Sequence, residues 1–257
     1  MLLALVLILV LLILLIGGDK GATSLITLTA NCILLSGIIF LIYAGYPPLP
    51  TTVAGCIIIS AVTLFYPEGI SKKSMASFLS VLIVIVLMMA SSYIMGGEAN
   101  IAGFSEEAQL EDEMAGLSTN IRTDMLDVAA AMIIMSLIGA VLDASVSISS
   151  SLYEVHQNHP VMGLAELFHS GIRIGRDIIG TTTNTLFFAY LGESLMLIIR
   201  FKIEGYSLAR IINSKVFFQE FIRILFSGAS CILAIPATAY ILSVFLTHPR
   251  FIQRESR

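Results

Sequence analysis

The sequence predicts an all-α, polytopic membrane bundle of about seven transmembrane helices, with an amphipathic interfacial helix between spans five and six. Three observations predict it. Of the 257 residues, 57% are hydrophobic and only 12% are charged, whereas an ordinary soluble domain carries about 25% charged residues. Mean hydropathy is +0.93. The apolar residues also come in unbroken runs, not in the period-two alternation of an outer-membrane barrel strand. These runs fill most of the chain, so residues 1–257 read as a single transmembrane domain, and a net charge of −4 leaves no nucleic-acid footprint. Membrane lipid is the expected surrounding.

A hydrocarbon core takes about 20 helical residues, and seven stretches meet or approach that length: 1–17, 24–45, 51–66, 74–96, 126–148, 178–199 and 219–246. The first, MLLALVLILVLLILLIGG, has the length of a signal peptide but lacks its basic leader, since the first lysine is Lys20. It is expected to be a retained span with a short N-terminus outside. The third is short; it either spans with little tilt or is re-entrant. Pro47, Pro48 and Pro50 form a rigid turn before it, and Pro67 closes it. Pro160 suits the first turn of a following helix, and Pro236 is expected to kink span seven.

Seven spans put eight basic residues on one side, among them Lys72, Lys73, Arg173, Arg176 and Arg254, and six on the other. That vote is narrow. The stretch 97–124 adds Glu98, Glu106, Glu107, Glu111, Asp112, Glu113 and Asp124 against Arg122 alone, which places it as an acidic extracellular loop and the C-terminus in the cytoplasm of a plasma-membrane protein. The discordant segment is 200–223, whose basic residues then face outward as a second surface-lying helix.

The densest chemistry falls in 126–199, the polar-seam core. Asp143 lies in span five, with Ser136, Gly139, Ser147 and Ser150 three and four residues apart around it. An acid at membrane depth is costly and marks function, unless it reaches interfacial water or pairs silently to hold helices together. Next comes PVMGLAELFHSGIRIG, whose apolar residues favour one helical face, as expected of a helix along the inner interface. Span six then opens with Arg176, Asp177, Thr181, Thr182, Thr183, Asn184 and Thr185. Asp177, Thr181 and Asn184 stand at i, i+4 and i+7 and share a face. A short connection brings this seam opposite Asp143, where Thr181 and Asn184 can hydrogen-bond the carboxyl and Arg173 or Arg176 can hold it ionised. The threonines can equally bond back to their own helix, and Asn is a common interhelical link. Glu193, near the far end of span six, reads as an acid reaching outer water or pairing with Arg200.

Metal and enzyme chemistry find little footing. Cys32, Cys56 and Cys231 fall inside apolar spans without metal-ligand spacing, and His156, His159, His169 and His248 form no intramembrane pair. No metal or other cofactor is expected. Asp127 and Asp143 are sixteen residues apart on one helix, about 24 Å and too far for a catalytic dyad. With no HExxH and no Ser-His arrangement, the chain is not expected to be an enzyme.

GAVLDASVSISSSLYEV followed by ELFHSGIRIGRDIIGTTTNTLFFAYLGESL resembles the signature region of the YibE/F family of prokaryotic integral membrane proteins. The resemblance covers 125–245 by motif and the rest by span pattern. It implies a helical membrane bundle, names no substrate, and looks like the shorter YibF-type partner of a companion YibE-type subunit. The order of a G-x-x-x-D span, an inner connection with Glu154 at its start and a Thr-rich span is also similar to the core of RND-type exporters and of the SecD/SecF translocation motor. That likeness implies Asp143 as a proton carrier, although the large periplasmic domains of those families are absent here. Two functions follow as expectations: a subunit of a proton-coupled transport or export complex, completed by a companion subunit or a second copy, with Asp143, Asn184, Thr181, Arg176, Asp177 and Ser147 in the path; or a non-transporting scaffold for an envelope partner.

Overall fold

A computed structural model describes residues 2–98 and 125–248. These residues form α1 (Leu2–Tyr43), α2 (Pro48–Glu68), α3 (Lys72–Glu98), α4 (Met125–Asn158), α5 (Leu164–Ile203), the single-turn α6 (Leu208–Ile212) and α7 (Lys215–Thr247). The fold is an all-α bundle with α4 at its centre, packed on α2, α3, α5 and α7. Residues 99–124 of the acidic loop and the basic tail 249–257, on which the sidedness reading partly rests, lie outside the described residues.

Among the described residues, five helices are long and apolar enough to cross a membrane: Ala4–Tyr43, Pro48–Glu68, Lys72–Ser92, Leu126–Asn158 and Lys215–Thr247. The protein is therefore a multi-pass membrane protein, with five qualifying helices where the sequence suggested seven spans. Two changes account for the difference. The first two stretches lie on one 42-residue element, α1, broken at Gly18 (φ 52, ψ −132). A side chain on Gly21 would collide with the Ile13 carbonyl oxygen. Residues eight apart would be about 12 Å apart in a straight helix, so the chain turns back sharply at Gly18. The second change is span six. Its helix has 40 residues, but the threonine cluster, Asn184, Glu193, Arg200 and Lys202 make it too polar to qualify.

No separate interfacial helix exists among the described residues. The amphipathic stretch expected along the membrane surface is the first half of α5, continuous with the expected span six. Its own sequence explains this. Leu167, Gly171 and Gly175 are buried at i, i+4 and i+8, a small-xxx-small face that lets helix backbones approach closely. A Cβ on Gly171 would come within 2.7 Å of the Ala239 Cβ, and one on Gly175 would overlap the Ile235 side chain. The stretch is drawn against α7 instead of lying flat. Its start is fixed by the Gly163 N–H, which donates to the Glu166 carboxylate at 3.2 Å. Segment 200–223 likewise is no surface helix: α5 ends, α6 makes one turn, and α7 begins at Lys215.

In lipid no hydrophobic drive pulls helices together, so close packing and interhelical hydrogen bonds must hold the bundle. α4 supplies both. Ile134, Leu137, Val141, Ile148 and Leu152 are wholly buried, and their steps of three, four and seven residues make one stripe. Ser145 and Ser149 fall on the same side and carry the polar links. Ser77 Oγ on α3 is 2.8 Å from Ser149 Oγ, Ser80 Oγ is 3.0 Å from Ser145 Oγ, and Ser80 Oγ is 2.6 Å from Thr238 Oγ1 on α7. A second link joins Tyr190 on α5 to Ser227 on α7 at 2.6 Å. Pro236 lies inside α7, which continues through it. By contrast, Leu5, Leu7, Leu15 and Ile16 of α1 are more than half exposed, as lipid-facing residues should be.

Candidate functional site

Asp143 lies on the face of α4 opposite Ser145, because two residues of helix turn the chain through about 200°. It opens into a cavity of about 680 Å³ walled by α1, α2, α3, α4 and α5. Asp143, Ser147 and Thr181, three of the residues singled out from the sequence, line this space together with Thr182 and Thr185. The other three do not line it. Asn184 and Arg176 are exposed elsewhere on α5, and Asp177 lines a separate cleft with Glu154 and His159. The face that meets Asp143 is centred on Thr181, Thr182, Thr185 and Leu186. At 100° per residue, Asn184 points more than a quarter turn away from that centre.

The electrostatics of the cavity are one-sided. No Lys, Arg or His lines it, while Asp143 and Glu68 do. Glu68 is neutralised by Lys73 at 2.8 Å. Asp143 has neither an ion pair nor a hydrogen bond among the described residues, so the cationic clamp expected from Arg173 or Arg176 is not formed. Three of the threonine hydroxyls around it spend their hydrogens on their own helices. Thr181 Oγ1 donates to the Ile178 carbonyl at 2.9 Å, Thr185 Oγ1 to that of Thr181 at 3.0 Å, and Thr27 Oγ1 to that of Thr23 at 2.9 Å. Their lone pairs remain for the cavity. Asn31 also lines the cavity; its amide nitrogen donates to Thr63 Oγ1 at 2.9 Å, while its Oδ1 is buried without a partner among the described residues. Ser147, Thr182 and Thr63 line the cavity as well and donate no hydrogen bond among the described residues, so the wall offers hydroxyl donors beside the acceptors.

The α1 contribution was not anticipated from the sequence. Ser24, Thr27 and Asn31 stand at i, i+3 and i+7 on α1 and all line the cavity. That spacing is the signal that could have found them. Among the described residues, no group of three or more His, Cys, Asp or Glu side chains could hold a metal ion.

The motifs that run through this site are matched by a family model described as YibE/F-like protein, over residues 5–248. The chain belongs to the YibE/F-like family. The match takes in every described helix from α1 to α7, so the cavity of this YibE/F-like chain is built wholly from family sequence. No curated protein and no solved structure matches the chain.

Proposed function

We propose that this YibE/F-like protein is a subunit of a proton-coupled transport or export complex in the cell membrane, with Asp143 as the group that takes up and releases the proton. One observation carries the reading: an unpartnered carboxylate among apolar helices opens into a roomy cavity with no cation in its wall. A carboxylate kept for packing is expected to be paired or hydrogen-bonded. Taking a proton removes the cavity's uncompensated charge, and releasing it restores that charge. The two states therefore differ in how they hold water or a donor-bearing cargo, which is the lever a coupled movement needs. Thr181 and Thr185 offer acceptors in the same cavity, and Ser147 lies one turn further along α4. No residue is assigned a catalytic role. The complex is completed by a companion YibE-type subunit or a second copy of this chain, as the likeness to RND-type and SecD/SecF cores also suggests, and the C-terminus is placed in the cytoplasm.

A non-transporting scaffold is the second reading, and a specific observation favours it: Thr181 and Thr185 satisfy themselves within α5, as threonines do in inert helices. Asp143→Asn separates the two, because it keeps shape and removes proton exchange. In membranes from cells expressing the chain beside its natural neighbours, proton movement driven by an imposed pH gradient is followed with a pH-sensitive dye. Loss of that movement at unchanged abundance supports transport. Retained movement removes Asp143 from the mechanism.

A further inference from the structure

A second cavity, of about 630 Å³, lies between the C-terminal half of α5, α6 and the start of α7, and shares no residue with the Asp143 cavity. Its wall is mostly aromatic and aliphatic, with Phe187, Leu191, Ile198, Phe217 and Phe221 along its length. From Phe187 to Lys202 it follows sixteen residues of α5, about 22 Å of helix. The connection 204–214 leads into α7, a helix long and apolar enough to cross a membrane, and the cavity runs from that charged connection along α5 and the first turns of α7.

The charges at the upper end are unevenly matched. Segment 200–223 carries Arg200, Lys202, Arg210, Lys215 and Arg223 against Glu204 and Glu220. Arg200 closes on Glu204 at 2.9 Å and Arg223 on Glu220 at 3.2 Å. The Arg200 hydrogen bond, with a smaller hydrogen bond from Tyr206 and the nearby charges of Arg200 and Arg210, holds the Glu204 carboxyl below its ordinary range, so Glu204 stays ionised at neutral pH and closes on Arg200 while acting on Arg210 only at longer range. Lys202 and Arg210 have no ion pair within 4 Å among the described residues. Lys202 lines the cavity, as does Tyr206, and the Arg210 guanidinium carbon is held 3.9 Å over the Tyr206 ring. Two cations without an ion pair stand above a long apolar slot, and an amphiphile with a negative head and a hydrocarbon tail matches both parts.

We propose that this cavity binds an anionic phospholipid, one acyl chain in the slot and the phosphate on Lys202 and Arg210. The inference is independent of any role for Asp143. Native mass spectrometry of the purified full-length protein, titrated with dioleoyl-phosphatidylglycerol and with dioleoyl-phosphatidylcholine, tests it. The wild-type protein is expected to retain phosphatidylglycerol about 25-fold better than phosphatidylcholine, two basic contacts each contributing roughly fivefold. Lys202→Gln with Arg210→Gln brings the ratio to about one, whereas Arg200→Gln, which removes a cation already engaged with Glu204, leaves it within about twofold. Equal retention of the two lipids by the wild-type protein overturns the proposal, as does a preference that survives the double substitution. Displacement of the lipid by inorganic phosphate or glycerol phosphate overturns it too, because a headgroup site without the slot is then sufficient. The wild-type comparisons decide the matter even where a variant fails to fold.

Discussion

On α4, two nearly opposite faces carry polar residues of the same small kinds. Ser145 and Ser149, at 0% and 2% exposure, meet Ser77 and Ser80 of α3, and Ser80 reaches Thr238 of α7. Asp143 and Ser147, two residues back along the helix in each case, face an open cavity whose edge the Ser77–Ser149 pair also reaches, where Thr181 and Thr185 bond to their own backbone and the carboxyl bonds to nothing described. Residue type does not separate a link from a site in a membrane bundle. What separates them is whether the group finds its partner on another helix, because a hydroxyl paired across an interface holds two helices in register, while an unpartnered acid is free to exchange its proton or its contacts.

Four substitutions test whether the two faces differ in this way. The largest effect is expected from Asp143→Asn: proton movement falls to background, while thermal unfolding in detergent stays within about 0.5 kcal/mol of wild type. A large loss of stability would instead move Asp143 to the linking class. Gly175→Leu comes next. It forces a side chain into Ile235 and should destabilise by about 1–3 kcal/mol as α5 is pushed off α7, read as a lowered unfolding temperature.

Ser80→Ala is smaller. It removes the 2.6 Å link to Thr238, and a double-mutant cycle with Thr238→Val should give a coupling of about 0.6 kcal/mol, with about 1.7 as the upper end. Zero coupling would mean that this seam is not the link described. Thr181→Val should change stability least, by no more than about 0.5 kcal/mol, because its hydrogen bond is internal to α5. Its effect belongs in the pH dependence of proton movement, since the substitution deletes an acceptor beside Asp143. A profile identical to wild type would take Thr181 out of the site.

Much of the fold could be read from runs of apolar letters, because backbone groups in lipid must be satisfied within the helix itself. The part of the site on α4 was legible for the same reason: a lone Asp among apolar residues is conspicuous. Asn184 and Asp177 were grouped with Thr181 by helical spacing, yet spacing fixes only which residues share a face and not which face a neighbour meets. Here Gly171 and Gly175 set that rotation by docking on Ala239 and Ile235, which turns Thr181, Thr182 and Thr185 toward α4. Ser77, Ser80 and Thr238 went unremarked because single hydroxyls scattered in apolar helices have no weight until they are paired across 65 to 158 residues of chain.

The sequence alone determined the helical membrane class, the YibE/F-like motif region and the cost of carrying Asp143 at depth, since each follows from local composition and the solvent it must face. Tertiary structure decided that α1 turns back at Gly18, that the amphipathic stretch continues into the expected span six, and that Asp143 shares its cavity with α1 and α5 while Arg176 stays outside. These depend on which surfaces approach closely enough to touch. That is a property of the small residues at helix crossings acting together, and no one-dimensional period contains it.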